Sequence, residues 1–277
     1  KNIYKFQSTL FQQETKEMKQ SKFNKKYKAL MLDIDGTLIK NSQKEALPTK
    51  KVKNSIKKAE KLIHVGIATS RTYPYASFVL NNLELSSPCI ITSGAQIYDP
   101  IKKEVVYEKL IEKSVISKIY KIINKYDIVV LDDGRGSKSN LKEKDIRKPT
   151  QLWLEIKNQK NVDAIFADMS NIPSVSVHKI ISRFDGNIEI LISHTEATKQ
   201  HGILKVAEIL GIKTHDIIGV GDGYNDFPLL MACGLKIAMG NAVPDLKEIA
   251  DYVAPSVEED GVVDIIEKFV LKNEKLN

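Results

Sequence analysis

Asp33 and Asp35 follow the apolar run Ala29-Leu30-Met31-Leu32, and Asp222 and Asp226 follow a second run, Ile217-Ile218-Gly219-Val220-Gly221. Short apolar runs of this kind read as buried parallel strands. Open parallel sheets bind ligands beyond the carboxyl ends of their strands, so the four carboxylates are expected to share one crevice. Like charges brought that close need a cation. Oxygen donors without His or Cys partners suit Mg²⁺, which keeps part of its water and also binds substrate phosphate. With the ion on one oxygen of Asp33, the other oxygen is free to attack phosphorus, giving an aspartyl-phosphate. Asp35, two residues on and on the same side of an extended strand, can protonate the leaving oxygen and then deprotonate water. Gly36 permits a sharp turn that exposes amide hydrogens to phosphoryl oxygens.

The elements that position these residues follow from periodicity and punctuation. Residues 50–62 carry Val52, Ile56 and Ala59 on one helical side, and 65–69 form a strand ending at Ser70-Arg71. Strand, helix and strand in succession call for a right-handed parallel crossover. A third strand at 89–92 precedes a hairpin-like pair, 97–99 and 104–107, turned around Pro100. Beyond it the pattern shifts to a helix at 113–126, strands at 127–132 and 151–156, a helix near 161–168 and a strand at 175–182. The most loop-like stretch there runs from Asp132-Asp133-Gly134-Arg135-Gly136-Ser137 to Arg147-Lys148-Pro149. A helix Lys199–Leu210 stops at Gly211. The strand at 217–220, a helix at 227–233, a strand at 236–239 and a last helix near 261–272 complete the pattern. The expected fold class is α/β, a doubly wound, Rossmann-like parallel sheet core over 28–95 and 184–277, with an inserted α+β cap over 96–183 and an N-terminal extension over 1–27.

Composition removes several function classes. No apolar run approaches the ~20 residues of a membrane span, which excludes a membrane pump. Residues 1–28 hold eight Lys and two Glu, leaving the remainder nearly neutral although the chain carries +7. No basic face for nucleic acid is therefore expected on the folded body. Within the extension Ile3, Phe6 and Leu10 share a helical stripe, and Tyr4, Phe11, Phe23 and Tyr27 add aromatics; a solvated or loosely docked tail is the expectation. Cys89 and Cys233 lie far apart without metal-binding or redox spacing, as buried free thiols in a reducing, cytoplasmic setting would. The first residues lack the apolar core of a secretory signal.

Asp33-Ile34-Asp35-Gly36-Thr37-Leu38 resembles the first signature of haloacid-dehalogenase phosphatases, DxDGTL, and Gly221-Asp222-Gly223-Tyr224-Asn225-Asp226 resembles their fourth, GDxxND. Ala68-Thr69-Ser70-Arg71 is similar to the second, usually ATGR, and Lys199 occupies the third. The resemblance implies Asp33 as nucleophile, Asp35 as acid and base, Thr69 as a phosphoryl hydrogen-bond donor and Lys199 as a charge clamp. It implies Mg²⁺ on Asp33, Asp222 and the backbone carbonyl of Asp35, with Asp226 supporting the metal's water and Asn225 orienting phosphate or that water.

An insert placed between the second and third signatures resembles the Cof-type branch, whose α/β cap closes over small phosphorylated metabolites, shedding water. Asp132, Asp133, Arg135 and Arg147 are the candidates for that specificity layer. Ser70, Gln200 and Ser93 replace the Gly, Gly and Asn common in the branch. Two rivals share parts of the pattern. A phosphomutase of the phosphomannomutase type has the same motifs and an α/β cap, and a phospho-ligand sensor with little turnover needs no reacting pair, against which the retention of both Asp33 and Asp35 argues.

Overall fold

Every side chain of β1 (Ala29–Leu32) is buried, because the strand lies inside a sheet covered on both faces. The computed structural model describes residues 21–40, 46–135, 140–181 and 186–272. After β1 come α1 (Lys50–Ala59), β2 (His64–Ile67), α2 (Tyr73–Leu83), β3 (Cys89–Ile91) and a hairpin of β4 (Gln96–Asp99) and β5 (Glu104–Glu108). The insert follows as α3 (Lys113–Ile123), β6 (Ile128–Asp132), β7 (Gln151–Ile156), α4 (Val162–Ser170), β8 (Val175–Ile181) and β9 (Ile188–His194). The chain then returns through α5 (Lys199–Leu210), β10 (Ile217–Gly221), α6 (Phe227–Ala232), β11 (Leu235–Ala238), α7 (Pro244–Ile249), β12 (Tyr252–Val253) and α8 (Gly261–Ile266).

The main sheet is parallel, in the order β12-β11-β10-β1-β2, with Leu32 paired to Val220 on one side and Ile67 on the other. Successive β1 side chains face opposite ways. Leu30 and Leu32 join the core under α1, α2 and α8, whereas Ala29 and Met31 join the core under α5 and α6. The expected stripe on α1, Val52, Ile56 and Ala59, is the buried one, and Thr49 caps the helix by accepting from the Val52 amide. The fold is thus the α/β core with an inserted cap that the order of elements implied.

The cap is an antiparallel sheet, β6-β7-β9-β8, with α3 and α4 on one face. Strand pairing departs from the expected boundaries in two places. The hairpin, expected inside the insert, pairs with β3 through Ile90 and Ile97 and packs on the core. Conversely β9, whose apolar run Ile188 to Ile192 reads as a buried strand on the core side of residue 184, pairs with both β7 and β8. Alternating strands advertise a buried face but not the neighbour that buries it. Three elements, α2, α7 and β12, were not anticipated. Among the described residues no helix is long and apolar enough to cross a membrane.

Residues 1–20, with the Ile3, Phe6 and Leu10 stripe, lie outside the described residues. Residues 21–27 do not form the loose tail expected of them. Lys22 and Lys25 pair with Asp251 and Asp216 at 2.7 and 2.9 Å, and Tyr27 is buried. Phe23 packs edge-on against Tyr252 and Phe269, with ring centroids 6.3 and 5.4 Å away. Phe23→Ala is expected to cost about 2 kcal/mol in urea unfolding, from two aromatic pairs and part of a ring's burial. Turnover should not change; wild-type stability in the variant would show the contacts to be superficial.

Candidate active site

Adjacent parallel strands deliver the first two acids to the same edge of the sheet. Asp33 immediately follows β1, its amide donating to Val220 at 3.0 Å, and Asp222 immediately follows β10. Beyond Asp33 the chain folds back: the amides of Thr37, Leu38 and Ile39 all point at the Ile34 carbonyl, within 2.9–3.3 Å. Gly36 sits in this turn at φ +83°, and a Cβ there would stand 2.0 Å from Asp222 Oδ2. Glycine is therefore needed twice, for the backbone angle and for the approach of the carboxylate.

Lys199 opens α5 and is 2% exposed. Its Nζ donates to Asp33 Oδ1 at 2.5 Å and to Asp226 Oδ1 at 2.6 Å. The other Asp226 oxygen accepts the amides of Asp222 and Gly223. One oxygen each from Asp33, Asp222 and Asp226 lie within 4.8 Å of one another. Burial raises the Asp33 carboxyl well above the usual carboxylate range, Lys199 opposing and Asp226 adding to the shift. Burial, then the charge of Asp226, pushes Asp222 up to about 7. Burial alone would lower Lys199, but attraction to Asp226 and Asp33 outweighs it and raises its pKa.

Ionised together, three carboxylates around one ammonium would leave two excess negative charges, which is why the metal-free site holds protons against its carboxyls. That imbalance, and the all-oxygen donor set, fits a divalent hard cation such as Mg²⁺.

Asp35 stands apart from this cluster. Its carboxylate takes a two-point hydrogen bond from Arg71, Nε to Oδ2 at 2.9 Å and Nη2 to Oδ1 at 2.7 Å, and Arg71 also reaches the Tyr75 carbonyl. The Asp35 carboxylate is thus matched to a planar guanidinium. Thr69 is 1% exposed, its Oγ1 accepting the Arg71 amide. Asn225 donates to Ser70 Oγ at 3.2 Å, so the loops after β10 and β2 meet directly.

Two residues were missed. Arg71 stands in the second signature-like segment, but nothing local there marks its reach to Asp35. Asn241, in the Gly240-Asn241 turn after β11, donates to the Gly36 carbonyl at 2.8 Å and to Asp222 at 3.3 Å, and accepts the Val257 amide. Of the cap candidates, Asp132 and Asp133 accept the nearby amides of Gly134 and Arg135. Arg147 is exposed. Arg135 reaches the core hairpin, at Glu108.

The chain as a whole is similar to known proteins. The family model for haloacid dehalogenase-like hydrolases matches residues 30–133 and 132–266. The 5-amino-6-(5-phospho-D-ribitylamino)uracil phosphatase YcsE of Bacillus subtilis (strain 168) is 29% identical over 88% of this chain and 96% of its own length. A phosphoglycolate phosphatase of Methanopyrus kandleri is 27% identical over 87% of this chain and 96% of its own. Among solved structures, a haloacid dehalogenase-like hydrolase from Bacteroides thetaiotaomicron superposes with a TM-score of 0.74 at 23% identity, covering 88% of this chain and 99% of that one. The chain belongs to the haloacid dehalogenase-like hydrolases. Within that family it is a phosphoric monoester hydrolase of the Cof-type branch.

Proposed function

We propose that the chain hydrolyses a small phosphorylated metabolite, a sugar phosphate or similar phosphomonoester, with Asp33 as nucleophile. The observation that carries this reading is the buried Asp33 at the end of β1, gripped by Lys199 beside two further acids. A carboxylate oxygen of Asp33 attacks phosphorus as the bond to the leaving oxygen breaks, and Asp35 supplies that oxygen's proton. Water then attacks the aspartyl-phosphate, Asp35 takes its proton, and the phosphorus–Asp33 bond breaks. Thr69 and Lys199 bind phosphoryl oxygens and Asn225 orients them, whereas the Gly36 amide, expected to join them, already donates to the Ile39 carbonyl at 2.8 Å. Asp33, Asp222 and the Asp35 carbonyl would hold Mg²⁺, with Asp226 supporting its water; the ion supplies positive charge to the phosphoryl group. A cytoplasmic setting accompanies this reading, since both free cysteines are buried.

The test is phosphate release across a panel that includes phosphoglycolate, 5-amino-6-(5-phospho-D-ribitylamino)uracil and hexose phosphates, with Mg²⁺ and with chelator. Chelator-sensitive release supports the reading. Isomerised hexose phosphate with little free phosphate would make the chain a mutase, and saturable binding without turnover would make it a sensor.

Mg²⁺ binding at this site is expected to depend on pH. In metal-free protein Asp222 is pushed up to about 7, above its unfolded value. The folded chain then holds a proton that the unfolded chain lacks between about pH 4 and 7, so metal-free stability falls as pH rises through that window. Mg²⁺ must displace that proton to bind. Its stabilising effect in thermal unfolding should therefore be larger at about pH 8 than at about pH 6; a pH-independent increment would place the ion elsewhere.

A further inference from the structure

A chain of polar side chains runs from the cap into the core without entering the reaction above. Arg135, after β6, donates from Nη2 to Glu108 Oε2 at 3.2 Å and from Nε to the Lys148 carbonyl at 2.7 Å. Glu108, at the end of β5, accepts from Gln96 Nε2 at 2.7 Å, and Gln96 Oε1 accepts from the Thr92 hydroxyl at 2.9 Å. Gln96 and Thr92 are 4% and 1% exposed, so the inner half of the chain runs through dry protein. Burial alone would raise the Glu108 carboxyl, yet hydrogen bonds from Arg135 and Gln96 hold it below the usual carboxylate range.

The inner end reaches an unusual turn. Thr92, Ser93 and Gly94 follow one another at φ +52°, +58° and +107°. A β-branched residue seldom adopts such an angle, and neighbouring structure must hold it there. The Thr92 amide donates to the Arg71 carbonyl at 2.8 Å and the Ser93 amide to the Thr69 carbonyl at 3.1 Å. On the other side, a Cβ on Gly94 would stand 2.0 Å from the Thr198 carbonyl and 3.1 Å from the Lys199 nitrogen. Residues 92–94 therefore brace three groups at once: Thr69, the Arg71 that grips Asp35, and Lys199.

We infer that Glu108 is a positioning residue, fixing the 92–94 brace through Gln96 and tying that brace to the cap through Arg135. The inference rests on the roles proposed above for Thr69, Asp35 and Lys199. Removing the Glu108 carboxylate leaves the Gln96 amide without its acceptor and the strained turn without its outer tether, while Asp33, Lys199 and the metal-binding carboxylates are untouched. Small displacements of positioned groups cost turnover more than binding.

The test uses the full chain with p-nitrophenyl phosphate and Mg²⁺, and reads amide hydrogen exchange over 92–95 in parallel. Glu108→Ala is expected to lower kcat about tenfold with KM within about twofold, and to speed exchange over 92–95 about tenfold, with the melting temperature nearly unchanged. Glu108→Gln, which keeps an acceptor for Gln96, should recover most of kcat. Arg135→Ala should lower kcat by a smaller factor and add nothing in the double variant, because both act through one path. Unchanged kcat or exchange in Glu108→Ala, additive losses, or a loss matched by a general fall in stability would overturn the inference. If the wild-type chain releases phosphate from no ester, the catalytic reading falls instead, and exchange over 92–95 alone decides whether Glu108 tethers the brace.

Discussion

Asp33→Asn yields a folded protein whose phosphate release falls by at least about 10⁴-fold, the scale seen when a covalent nucleophile is removed and only binding and electrostatics remain. The amide keeps an oxygen for Lys199 but cannot form the phosphoryl bond. Stability should move the other way. Asp33 is buried against Asp226 and Asp222, and its carboxyl is raised despite Lys199. Neutralising it removes a charge that the metal-free protein holds at a cost, so the variant should melt no lower than wild type in chelator at about pH 8. It should also lose most of the stabilisation that Mg²⁺ gives. Turnover above about one per cent of wild type would remove Asp33 from the nucleophile role.

The acids of the candidate site were legible because their signals are local. Asp33 and Asp35 sit two apart after one apolar run, and Asp222 and Asp226 four apart after another, so the carboxyl ends of two parallel strands bring them to one edge. Lys199 was legible through the resemblance of its place to the third signature, at the start of a helix whose stop, Gly211, is clear. Arg71 and Asn241 were not, because what they do depends on neighbours across the sheet. Arg71 meets Asp35 only because β2 lies beside β1, and Asn241 meets Gly36 and Asp222 only because β11 ends on the same side as β10. Strand order is not written in periodicity. The same reason covers the hairpin and β9, which were visible as strands while their neighbours in the sheets were not, and Phe23, whose aromatic partners Tyr252 and Phe269 come from the far end of the chain.

Lys199→Met separates a charge clamp from a helix-start lysine that happens to be buried. A surface lysine at that position would be worth little, since a cation at a helix N-terminus is slightly unfavourable. Here the ammonium is fully enclosed and is the partner of two buried carboxylates at 2.5 and 2.6 Å. Removing one member of such a set strands the others, at a cost of about 3–5 kcal/mol. The deficit must depend on pH. Without Lys199 the Asp33 carboxyl, already raised, rises further above its unfolded value, so the folded variant holds a proton the unfolded chain releases, and its stability falls as pH rises. Urea unfolding should therefore show a larger loss at about pH 8 than at about pH 5, with Mg²⁺ restoring part of it at the higher pH. Phosphate release should drop by about 10²- to 10³-fold, the range for losing one preorganised electrostatic group at a developing charge. Wild-type stability at both pH values would mean that Asp33 and Asp226 are neutralised by something other than this lysine, and the charge balance that calls for a divalent cation would no longer hold.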